Sequence, residues 1–296
     1  MRIAAWASSR CGTGQPAAEE ESHRRSASTQ AGARHISFSN RAALGLLALL
    51  AGPSIPSQAA EQPPLPDEFA VTDSIVMTER DELYVSPQIQ YLRLPDQKRL
   101  TFSSEIAYGF TDRLQLITQL PYAFITPDGG RTTSGIGDAA LAARYGVVNY
   151  REGPFGLDVG LGLLTPTGDR RRDLGEGRVS LESSFTASTW LGRVNAQANG
   201  SWRHAFGSGA EPKDEGEYNV ALVYPIRRWF LVLEGNGETT REGTKYYVTP
   251  EVVWKANRFE LRLAVPSPVT RTAGDYAIVA GCTVEFEHLF HRTEEN

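Results

Sequence analysis

The sequence predicts an all-β chain, a transmembrane antiparallel β-barrel of about twelve strands of the outer-membrane type. Three observations carry this. From Leu83 onward apolar and polar residues alternate with a period of two, which places them on opposite faces of strands. The strands marked this way are mostly long enough to cross a bilayer at a tilt, and longer than the ~5–6 residues usual in soluble sheets. The connections alternate between minimal and long, as they do in an up-and-down barrel with periplasmic turns and external loops; a soluble sandwich has no reason to gather its long loops at one end.

Composition alone points elsewhere. The 296 residues are 41% hydrophobic and 22% charged, with a net charge of −5 and a mean hydropathy of −0.32, values typical of a soluble protein. A barrel shares them, because half of each strand faces a polar lumen. The acidic balance gives no basis for nucleic-acid binding. The one continuous apolar run, Ala42 to Ala51, follows Arg34, His35 and Arg41 and precedes Ser57-Gln58-Ala59. It is too short for a membrane helix, Pro53 and Pro56 oppose a buried helix, and the pattern reads as a secretory signal cut near Ala59. The expected organisation is an extended leader and signal over 1–59, an acidic Pro-rich periplasmic spacer over 60–82, a barrel over 83–290 and a tail over 291–296. Cys11 falls in the leader, so Cys282 is left without an internal disulfide partner.

The strands are taken in order. Residues 83–94 carry Gln88 and Gln90 on one face. Residues 100–110 and 114–126 form a hairpin about Thr111-Asp112-Arg113, with Phe102, Ile106, Tyr108 and Phe110 continuing into Leu114, Leu116, Leu120, Tyr122 and Phe124 on the apolar side. Residues 137–149 follow the polar loop "PDGGRTTSG". Residues 155–165 alternate through Phe155, Leu157, Val159, Leu161 and Leu163. Residues 179–190 place Ser180, Glu182 and Ser184 on the polar face, and 193–206 place Asn195, Gln197, Asn199, Ser201 and Arg203 there. Residues 217–226 alternate Tyr218, Val220, Leu222, Tyr224 and Ile226; 229–240 and 246–255 follow two-residue and short polar links. Residues 258–269 alternate Phe259, Leu261, Leu263 and Val265, and 275–288 alternate Tyr276, Ile278, Ala280, Cys282, Val284 and Phe286.

In lipid the apolar face is the outside. The candidate lumen-lining residues are therefore Gln88, Gln90, Glu105, Gln119, Arg144, Asp158, Glu182, Gln197, Arg203, Glu234, Glu251, Glu260, Arg262 and Glu285, with Lys255 beside them. Carboxylates outnumber cations in this set, which favours cations or neutral polar solutes over anions. Aromatics near strand ends (Tyr84, Tyr91, Phe110, Tyr122, Phe124, Phe155, Trp190, Trp202, Tyr224, Trp229, Trp254, Phe286 and Phe290) suit interfacial girdles.

Motifs with catalytic chemistry are sparse. Gly135, Gly137 and Ala140 match a dinucleotide fingerprint, but a loop precedes them and a strand follows, where the fingerprint needs a strand and then a helix. His204, near the outer end of its strand with Ser201, Ser208 and Glu211 nearby, is the best histidine for a lipid-active enzyme; it reads more simply as a rim residue. "GDRRRD" reads as a solvated external loop that could also meet lipopolysaccharide. No catalytic, metal or cofactor site is expected.

"TFSSEIAYGFTDRLQLITQLPYAF", "GIGDAALAARYGV" and the strand ending "LLTPTGD" resemble the outer-membrane family of the MetA-pathway of phenol degradation, over roughly 83–290. The resemblance implies a barrel that passes small molecules, aromatic compounds among them, across the outer membrane of a Gram-negative cell. It supplies no catalytic residues. The expected partners are outer-membrane lipid and lipopolysaccharide, a small-molecule solute, and the barrel-assembly machinery that reads the last strand. The alternative is a non-transporting structural or surface barrel.

Overall fold

The structure, a computed structural model, describes residues 64–207, 214–241, 243–270 and 276–287. The expected leader and signal, His288, Phe290, His291 and the C-terminal tail lie outside the described residues. The chain forms β1 (Leu83–Arg93), β2 (Gln97–Thr111), β3 (Leu114–Pro127), β4 (Thr133–Ile136), β5 (Ala139–Val148), β6 (Phe155–Thr165), β7 (Ser180–Leu191), β8 (Val194–Ala205), β9 (Asp214–Ile226), β10 (Trp229–Thr240), β11 (Gly243–Ala256), β12 (Phe259–Ala264), β13 (Ser267–Pro268) and β14 (Tyr276–Phe286). Pairing is antiparallel throughout and follows chain order from stave to stave, and β1 closes on β14 from Leu83↔Phe286 to Arg93↔Tyr276. β4 with β5, and β12 with β13, each make one interrupted stave, so the fourteen segments form a closed barrel of twelve.

Both interruptions have a chemical cause. Pro121 on β3 has no N–H, so it accepts from Gly137 N at 2.9 Å but cannot return the bond, and the β3 ladder breaks between β4 and β5. Pro266 does the same between β12 and β13. The turns at one end are tight: Arg227 and Asn257 adopt positive φ of 58° and 53°, and Gly192 of 66°. That end also holds the start of β1 and the finish of β14, and is the periplasmic one in this fold.

The outward faces are apolar on every stave. Leu161 is 61% exposed and Leu263 55%, within a continuous belt that includes Phe102, Leu116, Leu141, Val220 and Leu233. A belt of this extent far exceeds the patches tolerated in water and requires lipid around it. Exposed rings sit near both rims, with Tyr91 against Tyr276 at 6.1 Å, Tyr218 against Tyr246 at 6.1 Å and Trp254 against Phe259 at 6.3 Å. Two of the expected girdle residues belong inside instead. Tyr84 is buried on the inner face of β1, and Trp190 packs against an interior apolar cluster.

That cluster corrects the expected periplasmic spacer. Residues 64–80 are irregular, as their sequence suggests, but they lie inside the barrel. Leu65, Phe69, Ile75 and Val76 pack on Ala221, Val223, Phe230, Val232 and Val253, the inner faces of β9–β11 near the short turns. The inner wall is thus apolar in the patch that receives these four side chains. Fully burying one such side chain is worth roughly 1.5–3 kcal/mol, so these contacts favour the segment's seat inside the barrel.

Candidate functional site

All fourteen candidate residues sit on the inward face of their strands. Ten of them (Glu105, Arg144, Asp158, Glu182, Gln197, Arg203, Glu234, Glu251, Glu260 and Arg262) are buried. Gln88, Gln90, Gln119 and Glu285 are partly buried and share strand parity with buried neighbours such as Ser86, Ile117 and Thr283. The interior they line is occupied by residues 64–80, which form an arch.

The arch is seated mainly by side chains of the wall that bond to its backbone. Glu260 on β12 accepts the N–H of Asp67 at 2.8 Å and of Glu68 at 3.3 Å. Glu251 on β11 accepts from Ala70 N at 3.0 Å, and Glu234 on β10 from Thr72 N at 2.5 Å. Gln197 on β8 takes Ile75 N at 2.8 Å, and Gln115 on β3 takes Thr78 N at 3.1 Å. These acceptors step from β12 through β11, β10 and β8 to β3, and the arch therefore follows the inner circumference. Its first foot is pinned beside the β11–β12 turn, where Lys255 pairs with Asp67. Its second foot meets β2 at a bridge between Arg80 and Gly109, with Asp81 N–H donating to Gly109 O at 2.9 Å. Both feet lie at the short-turn end.

Other wall groups complete the seat. Arg144 donates to Asp158 at 2.6 Å and to the carbonyl of Ser74 at 2.7 Å, so one guanidinium serves both a buried carboxylate and the arch. Beyond the apex a relay of neutral side chains crosses four strands. Thr249 donates to Asn236 at 2.9 Å, Asn236 to Asn219 at 3.1 Å, Asn219 to Asn199 at 2.9 Å, and Asn199 to Asp73 at 3.1 Å. Glycine clears the path at two inward positions. A Cβ on Gly109 would overlap the carbonyl oxygen of Glu79, and one on Gly156 would come within 2.9 Å of Ile75 Cγ1. Under the arch, a cavity of about 300 Å³ opens at the periplasmic mouth among Met77, Arg113, Tyr150, Arg151 and Leu157.

The external mouth is narrowed by the loop after β6. Arg170–Arg172 form a single 3₁₀ turn in which the Asp169 carboxylate accepts from the Arg171 N–H at 2.9 Å, and its side chains are exposed. Leu174 turns inward onto Ala123 and Ile125. The loop is tied by Asp138, which accepts from Gly168 N at 2.9 Å and Glu176 N at 2.6 Å. The "GIGD" stretch is thus a loop anchor: Gly135 makes room for Leu174, and no helix follows it.

His204 faces outward. Its Nδ1 lies 2.6 Å from Asp214 Oδ1, and its ring sits between Trp202 and Phe206. Ser201 is on the opposite face of β8, so the two cannot form a nucleophile–base pair; Ser208 and Glu211 lie outside the described residues.

A family profile described as "Putative MetA-pathway of phenol degradation" matches residues 98–261. Among solved structures, the COG4313 outer membrane channel from Pseudomonas putida F1 superposes with a TM-score of 0.57 at 15% identity, covering 70% of this chain and 96% of that one. The KdgM porin aligns at 8% identity with a TM-score of 0.47, over 68% of this chain and 99% of its own. OprB of Pseudomonas putida aligns at 9% identity with a TM-score of 0.39, over 69% of this chain and 91% of that chain. No curated protein is detectably similar. These likenesses bear on the fold, which is that of outer-membrane barrels.

Proposed function

The chain belongs to the MetA-pathway of phenol degradation family, and on that premise we propose that it is an outer-membrane channel through which small solutes diffuse, aromatic compounds among them. The observation that carries this reading is a polar, charged interior inside a lipid-facing barrel, filled by an arch that bridges to a stave at its Arg80 foot and is otherwise held by wall side chains. A barrel meant only as a wall could fill its lumen with its own side chains. Here the filling is a separable segment. The fourteen inward residues line the passage, and Glu105, Asp158, Glu182, Glu234, Glu251, Glu260 and Glu285 outweigh Arg144, Arg203, Arg262 and Lys255, so cations and neutral solutes pass more readily than anions. The exposed Arg170–Arg172 turn suits the anionic groups of lipopolysaccharide, and the last strand suits recognition by the assembly machinery.

The rival reading is a non-transporting structural barrel, which the occluded lumen also fits. Planar-bilayer recordings separate the two. Cation-preferring steps in the whole protein, more frequent when residues 64–78 are deleted, support a channel. Anion preference overturns the assigned polarity, and a deleted barrel that inserts without conducting overturns transport. Growth on dilute aromatic compounds, with and without the gene, identifies the solute.

A further inference from the structure

The short turns of the periplasmic rim all carry arginine: Arg113 between β2 and β3, Arg151 between β5 and β6, Arg193 between β7 and β8, Arg227 and Arg228 between β9 and β10, and Arg258 between β11 and β12. Three of these turns have an acid to hand. Asp112 precedes Arg113, Arg151 pairs with Glu79, and Arg258 pairs with Glu287. The other two do not. In sequence no Asp or Glu lies between Glu182 and Glu211, or between Glu217 and Glu234. Among the described residues no carboxylate pairs with Arg193, Arg227 or Arg228, and all three are exposed. The basic charge of the rim is therefore uncompensated on one sector.

The two turns of that sector are neighbours. β8 pairs with β9 through Asn195↔Val223, so Arg193 stands opposite Pro225, and Arg227 is two residues beyond. At ~4.8 Å between strands and ~6.6 Å for two residues, the Cα atoms of Arg193 and Arg227 lie about 8 Å apart. Two guanidinium forks at that spacing reach one phosphodiester. The backbone marks the same turn. Arg227 has a φ of 58°, where the β7–β8 and β11–β12 turns use Gly192 at 66° and Asn257 at 53°, the residue types that enter this left-handed region most readily. The β9–β10 turn forgoes the residue that suits its backbone and keeps a guanidinium.

Beside these arginines the outer wall is apolar. Tyr224, Ile226, Trp229 and Leu231 are exposed on β9 and β10. Trp229 stands opposite Trp254, whose ring meets Phe259 edge-on at 6.3 Å. A cationic turn next to an aromatic and aliphatic wall matches an amphiphile lying along the barrel, with its headgroup at the turn and its chains on the strands. A soluble anion would use only the cationic half of this surface.

We propose that the turns at Arg193 and Arg227-Arg228 form a docking site for an anionic phospholipid of the periplasmic leaflet, its phosphodiester against the guanidiniums and its acyl chains along the outer faces of β9 and β10. The site goes beyond the channel reading and does not depend on it. A zwitterionic lipid carries its own cation and gains less from the turn, whereas each arginine near an anionic surface is worth about fivefold in binding.

The test uses the full chain in phosphatidylcholine vesicles in which a minor fraction of the lipid has brominated acyl chains, which quench indole fluorescence on contact. Brominated phosphatidylglycerol should quench as much as an about fivefold or greater fraction of brominated phosphatidylcholine. Trp229→Phe should remove that difference, which locates the lipid. Arg193→Gln, Arg227→Gln and Arg228→Gln combined should abolish it. Arg227→Gly alone should cut it about fivefold with heat-modifiable migration of the barrel unchanged, because glycine adopts this φ freely. Equal quenching by the two lipids, an excess that survives Trp229→Phe, or an excess retained in the triple glutamine variant overturns the proposal. So does displacement of the lipid by glycerol phosphate, which makes the patch a site for soluble anions. Arginine-dependent sedimentation with peptidoglycan in place of any lipid preference overturns it too. None of these readouts involves conductance, so this proposal and the channel reading fail separately.

Discussion

Gly109→Ala tests the seating of the arch at its second foot. The glycine lies on the inner face of β2, at a bulge where the register shifts between Gly109 and Thr111. Its N–H donates to Glu82 O at 3.1 Å and its carbonyl accepts from Asp81 N at 2.9 Å. A Cβ there would occupy the position of the Glu79 carbonyl oxygen. The oxygen is backbone and no rotamer change can relieve the overlap, so the foot must move. Overpacking of this kind costs roughly 1–3 kcal/mol. If the barrel closes without the arch, as its β1–β14 pairing allows, the cost falls on the seated state alone. At about 1.4 kcal/mol per decade, the ratio of unseated to seated arch rises about 5- to 150-fold. Single-channel recordings should show opening events more frequent by that factor, with heat-modifiable migration of the barrel unchanged. Gly235→Ala is the control, since a Cβ there meets open space. An unchanged opening frequency in Gly109→Ala, or an equal rise in Gly235→Ala, would refute the reasoning.

Leu161→Arg puts a charge on the lipid face and should lower stability by about 2–4 kcal/mol if it lies near the midplane; urea unfolding of the reconstituted barrel reads this. Gln197→Arg, in contrast, should assemble as a barrel yet raise conductance, because the larger side chain displaces Ile75 from the buried amide that now holds it. Cys282 faces outward, so apolar maleimides should label it in membranes faster than sulfonated ones, and equal rates would place it elsewhere. Glu82, whose carboxylate also caps Glu79 N at 3.0 Å, is raised to about 7 by burial and then by Glu285 and Glu287. The folded state then holds a proton that the unfolded chain gives up near 4.5, so stability should fall as pH rises from about 4.5 to 7 and level off above. Glu82→Gln should flatten that slope, and a slope unchanged in the variant would assign it to another group.

The staves were legible because each has a two-residue period and neighbours close in sequence. The hairpin about Thr111-Asp112-Arg113 could be read from a single stretch, and its faces are those of β2 and β3. The inward residues followed from the same parity. The arch could not be read this way. Its backbone makes no ladder that would impose a period, and its partners lie up to 193 residues away, as Glu260 does from Asp67. What the sequence does contain is indirect: Phe69, Ile75, Val76 and Met77 scattered through a polar stretch, and glycines at inward positions of long strands. Tyr84 and Trp190 were misplaced for a related reason. An aromatic near a strand end suits a membrane interface, but its parity decides the face, and both have inward parity. The breaks at Gly137–Asp138 and Pro266 interrupt alternation that otherwise reads as continuous.

The two feet of the arch bear on how the molecule is assembled. Asp67 is pinned beside the β11–β12 turn and Arg80 beside the β2–β3 turn, both on one rim. A chain that entered at one rim and left at the other would be threaded through the closed cylinder, and could be removed only by pulling a terminus through or by parting β1 from β14. A loop with both ends on the same rim is topologically unlinked from the cylinder. It can be inserted after the last strand has zipped to the first, and withdrawn without breaking a stave. Residues 64–80 by themselves therefore set no order between closing the barrel and filling it.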